Sequence, residues 1–194
     1  VLSGRIGSPQ LILAQFGVSI PFDPGHRVYA SRGGGSLYDL GVYPVSLVQF
    51  LFGKPTRVCS HARIGETGVD EQCVAILEYQ SGTQATIGAS VRANLSNDAQ
   101  IFGTEGRIDL VGGIYFPDGC RVKMNDSASA TDQGLARSVA RRVWSRVGNR
   151  FSVNVEPRWK RHSIREGYAS EADAVQRSLR SGNKECSEMP LSDT

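Results

Sequence analysis

Hydrophobic and polar positions along the chain change period several times, and each change predicts an element. Gln10 to Ile20 reads as a β run, closed by Pro21-Phe22-Asp23-Pro24-Gly25, whose prolines and glycine suit a turn. A loop through His26-Arg27 follows, long enough to suggest a lid or an entrance. From Ser36 to about Phe52 the period is helical, with Leu37, Leu40, Leu47, Leu51 and Phe52 on the apolar side and Gly53 as the stop. Then strands come in succession. Arg57 to Ile64 sets Val58, Ser60, Ala62 and Ile64 against Arg57, Cys59, His61 and Arg63, so Arg63 sits at a strand end opposite the apolar row. Glu71 to Tyr79 is apolar on both faces and is predicted to be central. Thr83 to Arg92 alternates Ala85, Ile87, Ala89 and Val91 with Gln84, Thr86, Gly88, Ser90 and Arg92. That second, short-chained face is either solvated or a seat for another sheet. Ala99 to Phe102 and Arg107 to Val111 form a hairpin around Gly103-Thr104-Glu105-Gly106.

From Ser127 the composition shifts. Leu135, Val139, Val143 and Val147 recur every fourth residue among Arg137, Arg141, Arg142 and Arg146. This is either an amphipathic helix with a solvated basic face or a surface for membrane or nucleic acid, and the single stripe without aromatic interleaving favours the first. Phe151 to Glu156 reads as a strand and Ser170 to Ser181 as a helix ended by Gly182. Strands joined by short turns, with helices near the two ends of the chain, predict an antiparallel meander and an α+β fold: an open, predominantly antiparallel sheet with helices packed on one face. The capping signals at both ends lack their helices, so the chain reads as a piece of something longer.

The stretch with candidate chemistry is Gly33-Gly34-Gly35-Ser36-Leu37-Tyr38-Asp39-Leu40-Gly41-Val42-Tyr43-Pro44. Ser36 stands where an N-cap belongs, three residues before Asp39. Asp39 and Tyr43 are four apart, so a carboxylate and a phenol project from one helix face near the positive end of its dipole. The plainer reading makes Asp39 the acidic end of a capping box and Tyr43 a half-buried core tyrosine. Pro44 predicts a kink just after Tyr43, or the start of a second helical segment.

Composition narrows the classes. At 194 residues, 40% hydrophobic and 21% charged, the chain suits one ordinary globular domain spanning 1–194. A net charge of +3 does not call for nucleic acid or membrane, and no apolar run approaches the roughly 20 residues that span a bilayer. Cys59, Cys73, Cys120 and Cys186 form no C-x-x-C pair, and His26, His61 and His162 have no metal-ligand spacing, so reduced cysteines, a cytoplasmic setting and no metal are expected.

The motif Gly33-Gly34-Gly35-x-x-x-Asp39-x-Gly41-x-Tyr43, with Gly65-Glu66-Thr67-Gly68-Val69-Asp70-Glu71, Leu95-Ser96-Asn97 and Gly103-Thr104-Glu105-Gly106, resembles the C-terminal domain of the Gfo/Idh/MocA oxidoreductases. Within that family it is most similar to the dihydrodiol dehydrogenase and NADP-dependent xylose dehydrogenase branch. The resemblance runs from about Leu2 to Val111 and resumes at Gly167-Tyr168-x-x-Glu171 through Met189-Pro190-Leu191, while the insertion from Ser127 to Arg150 departs from it. It implies a substrate-binding and dimerisation domain that works beside a Rossmann domain carrying NAD(P), NADP being favoured, and a catalytic lysine from a Glu-Lys-Pro motif. This sequence has neither that motif nor a G-x-G-x-x-G turn opening a βαβ unit, so the resemblance implies no cofactor bound here and no activity alone. It further implies a sugar or cyclic diol substrate, a homodimer through the open sheet face, Tyr43 and Asp39 as catalytic residues, and Phe16, Arg63 and Tyr115 lining the substrate pocket.

The chemistry fits those residue types. A phenol can take the proton of an alcohol once ionised, and an ordinary tyrosine, near pKa 10, needs a neighbouring cation for that. A carboxylate pushes the other way, which assigns Asp39 to orientation. Arg63 is equally readable as a solvated strand-end arginine. Two other roles stay open: a non-catalytic binding or dimerisation domain that keeps the fold, and nucleic-acid binding through residues 135–147.

Overall fold

The computed structural model describes residues 4–125, 154–155 and 164–186. The basic stretch 135–147 and both ends of the chain lie outside the described residues, as does most of the predicted strand at 151–156. The strands are β1 (Pro9–Gly17), β2 (Arg57–Ile64), β3 (Asp70–Glu78), β4 (Gln84–Ser90), β5 (Ala99–Gly103), β6 (Gly106–Gly113), β7 (Phe116–Met124) and β8 (Asn154–Val155). They form one sheet in the order β2-β3-β4-β1-β5-β6-β7-β8. Every pairing is antiparallel except β1 with β4, which run parallel.

The fold is the expected α+β class, but a plain meander is not what forms. Two three-stranded meanders, β2-β3-β4 and β5-β6-β7, flank β1, which is inserted between them. A parallel partner needs a crossover, and the helix between β1 and β2 together with the β2-β3 hairpin supplies it. β3 is an inner strand with Cys73, Ala75 and Leu77 buried, yet Val74 and Ile76 on its other face are exposed. Two apolar faces therefore did not mean two covered ones.

The core lies on one side of the sheet. Ile12, Ala14 and Phe16 of β1 and Ala85, Ile87 and Ala89 of β4 face it, and Leu40 and Val48 pack down from the helix. Gly41 permits close approach: a Cβ there would lie 3.3 Å from that of Ala89. The supposed lid after β1 is also part of this core, because a 3-10 turn at Arg27–Tyr29 buries Val28 and Tyr29. The Tyr29 hydroxyl donates to the Ile20 carbonyl at 2.7 Å.

The helix itself begins irregularly. Leu37–Gly41 is a turn of π-helix that passes into α1 (Val42–Phe52), which ends at Gly53 with φ 71°. The distortion thus precedes Tyr43 rather than following it. Pro44 cannot donate to the Leu40 carbonyl and its ring crowds that group, and the widened turn lies where this conflict would fall. The last described helix, α2 (Ile164–Arg180), starts before the predicted Ser170 and leaves Val175 and Leu179 exposed.

Candidate functional site

Three aromatic side chains from distant parts of the sequence meet at one end of the sheet. Phe16 ends β1, Tyr43 lies in the first turn of α1, and Tyr115 sits in the β6–β7 turn. The Phe16 and Tyr43 ring centroids are 5.2 Å apart and edge-on, and Phe16 and Tyr115 stack at 5.4 Å. Tyr43 and Tyr115 are 6.5 Å apart. Phe16 is buried while Tyr43 remains 42% exposed and Tyr115 56%. The result is an aromatic cluster edged by two half-exposed tyrosine rings, a surface suited to the carbon face of a ring.

The β3 residue Asp70 fixes where Tyr43 stands. Its Oδ2 accepts from the Ser36 Oγ at 2.6 Å and from the Leu37 backbone N–H at 2.8 Å. Ser36 is completely buried and makes no cap of its own. The expected capping box with Asp39 therefore does not form; the cap comes from across the sheet. Gly35, at φ 111°, makes room for it, since a Cβ there would lie 2.2 Å from Asp70 Oδ1. Asp39 is drawn away to Arg27, with which it forms an ion pair. The pair joins the loop before the glycines to the turn before Tyr43.

Asn97 holds the other two aromatics. Its Oδ1 accepts from the Gly17 N–H at 2.8 Å, next to Phe16, and its carbonyl accepts from the Ile114 N–H at 2.8 Å, next to Tyr115. To do both it adopts φ 56°, a left-handed conformation that asparagine tolerates better than most residues.

Arg63 goes elsewhere. Phe16 is in register with Ala89, Ala89 with Cys73, and Cys73 with Ala62, so Arg63 falls on the opposite face of the sheet from Phe16. It borders an open cavity of about 430 Å³ with Phe22, Glu71 and Arg92, and a shallower one with His61, Gln72 and Val74. In the first cavity Glu71 is buried and paired with Arg92 at 3.1 Å. Burial, with the Glu71 charge adding to it and Arg92 opposing it, raises the Tyr29 phenol above the ordinary tyrosine range.

Sequence reasoning left Asp70, Asn97 and Arg27 without roles, although Asp70 and Asn97 stand inside motifs it singled out. The available signal was an aspartate opening a strand directly after a glycine turn and an asparagine between two strands. Both are common surface features, and only the pairing of strands brings them to the site.

The glycine-rich stretch ahead of α1 invites comparison with a phosphate cradle. It does not fit one: the Leu37 N–H, which a phosphate would use, is already bonded to Asp70. Among the described residues no group of histidine, cysteine and carboxylate side chains is arranged to hold a metal ion. Nor among them is any helix long and apolar enough to cross a membrane.

With this geometry in view, residues 1–109 match the family model described as the GFO/IDH/MocA C-terminal domain. The chain belongs to the GFO/IDH/MocA family. It is 35% identical over 112 residues to the mouse trans-1,2-dihydrobenzene-1,2-diol dehydrogenase, an alignment covering 57% of this chain and 33% of that enzyme. It is 31% identical to an uncharacterised oxidoreductase of Rhizobium meliloti, covering 95% of this chain and 58% of the relative. The chain thus spans about a third of the length of the diol dehydrogenases it matches. Among solved structures, levoglucosan dehydrogenase in complex with NADH and levoglucosan shares the fold, with a TM-score of 0.56 at 18% identity, over 67% of this chain and 39% of that one.

Proposed function

We propose that this chain is the substrate-binding part of an NAD(P)-dependent dehydrogenase that oxidises a hydroxyl of a cyclic diol or sugar, with NADP as the partner nucleotide. The observation that carries the reading is the half-exposed Tyr43 edge-on against Phe16, which stacks on Tyr115. Its support from relatives is the likeness to the diol dehydrogenases, at 35% identity for the mouse enzyme.

In this reading Phe16 and Tyr115 hold the apolar face of the substrate ring, and the Tyr43 hydroxyl takes the proton of the reacting alcohol. Asp39, neutralised by Arg27, orients the start of the helix and contributes no base. In the same reading the nucleotide and the cation that activates Tyr43 come from another part of the intact protein, and the 194 residues alone are inactive. Arg63, on the other face, acts with the exposed Val74 and Ile76 in pairing two copies.

The test is turnover of the intact protein with NADP or NAD and a panel of cyclic diols and sugars. Tyr43→Phe is expected to lower kcat by about 10²–10⁴-fold, the usual worth of a positioned proton acceptor. Unchanged turnover in that variant leaves the non-catalytic binding role in its place.

A further inference from the structure

Where β2 ends, the cavity of about 430 Å³ beside Arg63 lies apart from the aromatic cluster, and its size suits a small ligand. Gly17 is in register with Ser90, Ser90 with Gln72 and Gln72 with Arg63, so Arg63 stands three strands across from the residue that follows Phe16. At about 4.8 Å per strand that is roughly 14 Å, too far for a small molecule seated here to reach the Phe16 ring.

The floor of this cavity is a buried charge. The Glu71 side chain is 4% exposed and accepts from the Arg92 Nη1 at 3.1 Å, while the Arg92 side chain stays 43% exposed. The turn after β2 closes down on that carboxylate: a Cβ at Gly65 would lie 2.2 Å from Glu71 Oε1, so glycine is what lets the turn come this near and bring Glu66 to the cavity. Phe22 supplies an apolar wall, continued by the exposed Ile64. Its ring is held edge-on by Tyr29 at 5.1 Å, and the Tyr29 hydroxyl is itself anchored on the Ile20 carbonyl.

Two arginines face two glutamates in this lining, but only one pair is made. Glu71 and Arg92 satisfy each other, whereas Arg63 and Glu66 have no ion-pair partner among the described residues. An anion would meet Glu66, a cation would meet Arg63, and an uncharged molecule would strip water from both without returning a charge. A zwitterion answers both. Its carboxylate accepts from Arg63 and from the free edge of Arg92, its ammonium donates to Glu66, and an apolar side chain covers Phe22 and Ile64. We propose that this cavity binds a small zwitterion with an apolar side chain, a free α-amino acid of the leucine or phenylalanine kind, at a site separate from the alcohol site. Arg63 also borders the shallower cavity on the face that pairs two copies in the reading above, so the test leaves Arg63 in place and turns on Glu66 and Phe22.

The experiment is calorimetric titration of the intact protein with L-leucine and L-phenylalanine, and with L-phenylalanine acetylated on its nitrogen or esterified on its carboxylate. Expected are saturable binding of at least one free amino acid and about tenfold weaker binding of each blocked form, the usual worth of one charge-assisted hydrogen bond. Glu66→Gln, on an exposed turn, should weaken the free amino acid about tenfold and leave the acetylated form as it was. Phe22→Ala should weaken both, and Tyr43→Phe neither. Acetylated phenylalanine that binds as tightly as the free amino acid overturns the proposal in favour of a carboxylate site. Displacement of the amino acid by xylose or glucose overturns it in favour of a polyol site. Loss of binding in Tyr43→Phe moves the ligand to the aromatic cluster, and no saturable binding at millimolar concentration ends the proposal outright.

Discussion

Ser36 donates a hydrogen bond of 2.6 Å to Asp70, 34 positions away, and that bond ties the start of the Tyr43 helix to the first residue of β3. The same Asp70 oxygen also takes the Leu37 N–H, so one carboxylate does the work of a helix cap. Replacing Asp70 by alanine removes the acceptor of both bonds and should cost the intact protein about 1–2 kcal/mol in denaturant unfolding. Asp70→Asn keeps an acceptor oxygen and should recover much of that. A loss below a few tenths of a kcal/mol in the alanine variant would show that the helix start is held by packing alone.

Asn97 joins the strand end beside Phe16 to the turn beside Tyr115. Asn97→Ala loses the bond to Gly17 and places alanine at φ 56°. It should destabilise by about 1–2 kcal/mol. On the dehydrogenase reading proposed above, the same change in the intact protein should raise KM for the alcohol several-fold while leaving nucleotide binding alone. Equal effects on both ligands would remove Asn97 from the pocket's support.

The Tyr79 hydroxyl is buried without a hydrogen-bond partner, and burial raises its pKa above the ordinary value near 10. Tyr29 is raised in the same direction. Below pH 10 both phenols are neutral folded or unfolded. Above it the unfolded chain loses protons that the folded one retains, so stability falls as pH rises from about 10 through the higher folded values. Tyr79→Phe should therefore flatten the alkaline limb of a stability–pH curve and add up to about 1 kcal/mol at pH 7. An unchanged alkaline limb would mean that the Tyr79 phenol ionises alike in both states.

Val74 and Ile76 of β3 and Leu13 of β1 are exposed on the face of the sheet away from the helix. If two copies pair there, Ile76→Glu should yield a monomer by sedimentation at concentrations where the unsubstituted protein is a dimer, because a buried unpaired carboxylate at an interface costs several kcal/mol. A dimer that survives this change uses another surface.

Local patterns announced a good deal. Alternation assigned the apolar face of β4 correctly, with Ala85, Ile87 and Ala89 buried and Val91 beyond them buried too, because a strand's period of two depends on no other part of the chain; Ser90, on the other face, is buried as well. The β5–β6 hairpin around Gly103 to Gly106 was legible for the same reason, and so was the helical period ending at Gly53. The β6–β7 pair, which presents Tyr115, went unread: its Gly112, Gly113, Pro117 and Gly119 look like loop residues until a partner strand accommodates them.

Other features depend on residues far apart in the chain. That β1 lies between β4 and β5, that Asp70 rather than Asp39 caps the Tyr43 helix, and that Arg63 and Phe16 face opposite ways all follow from strand order and register. Those are sums of many weak contacts closed across long loops, and no short window of residues contains them. The kinds of side chain at the aromatic wall were written into the chain one by one; their meeting was a property of the folded sheet.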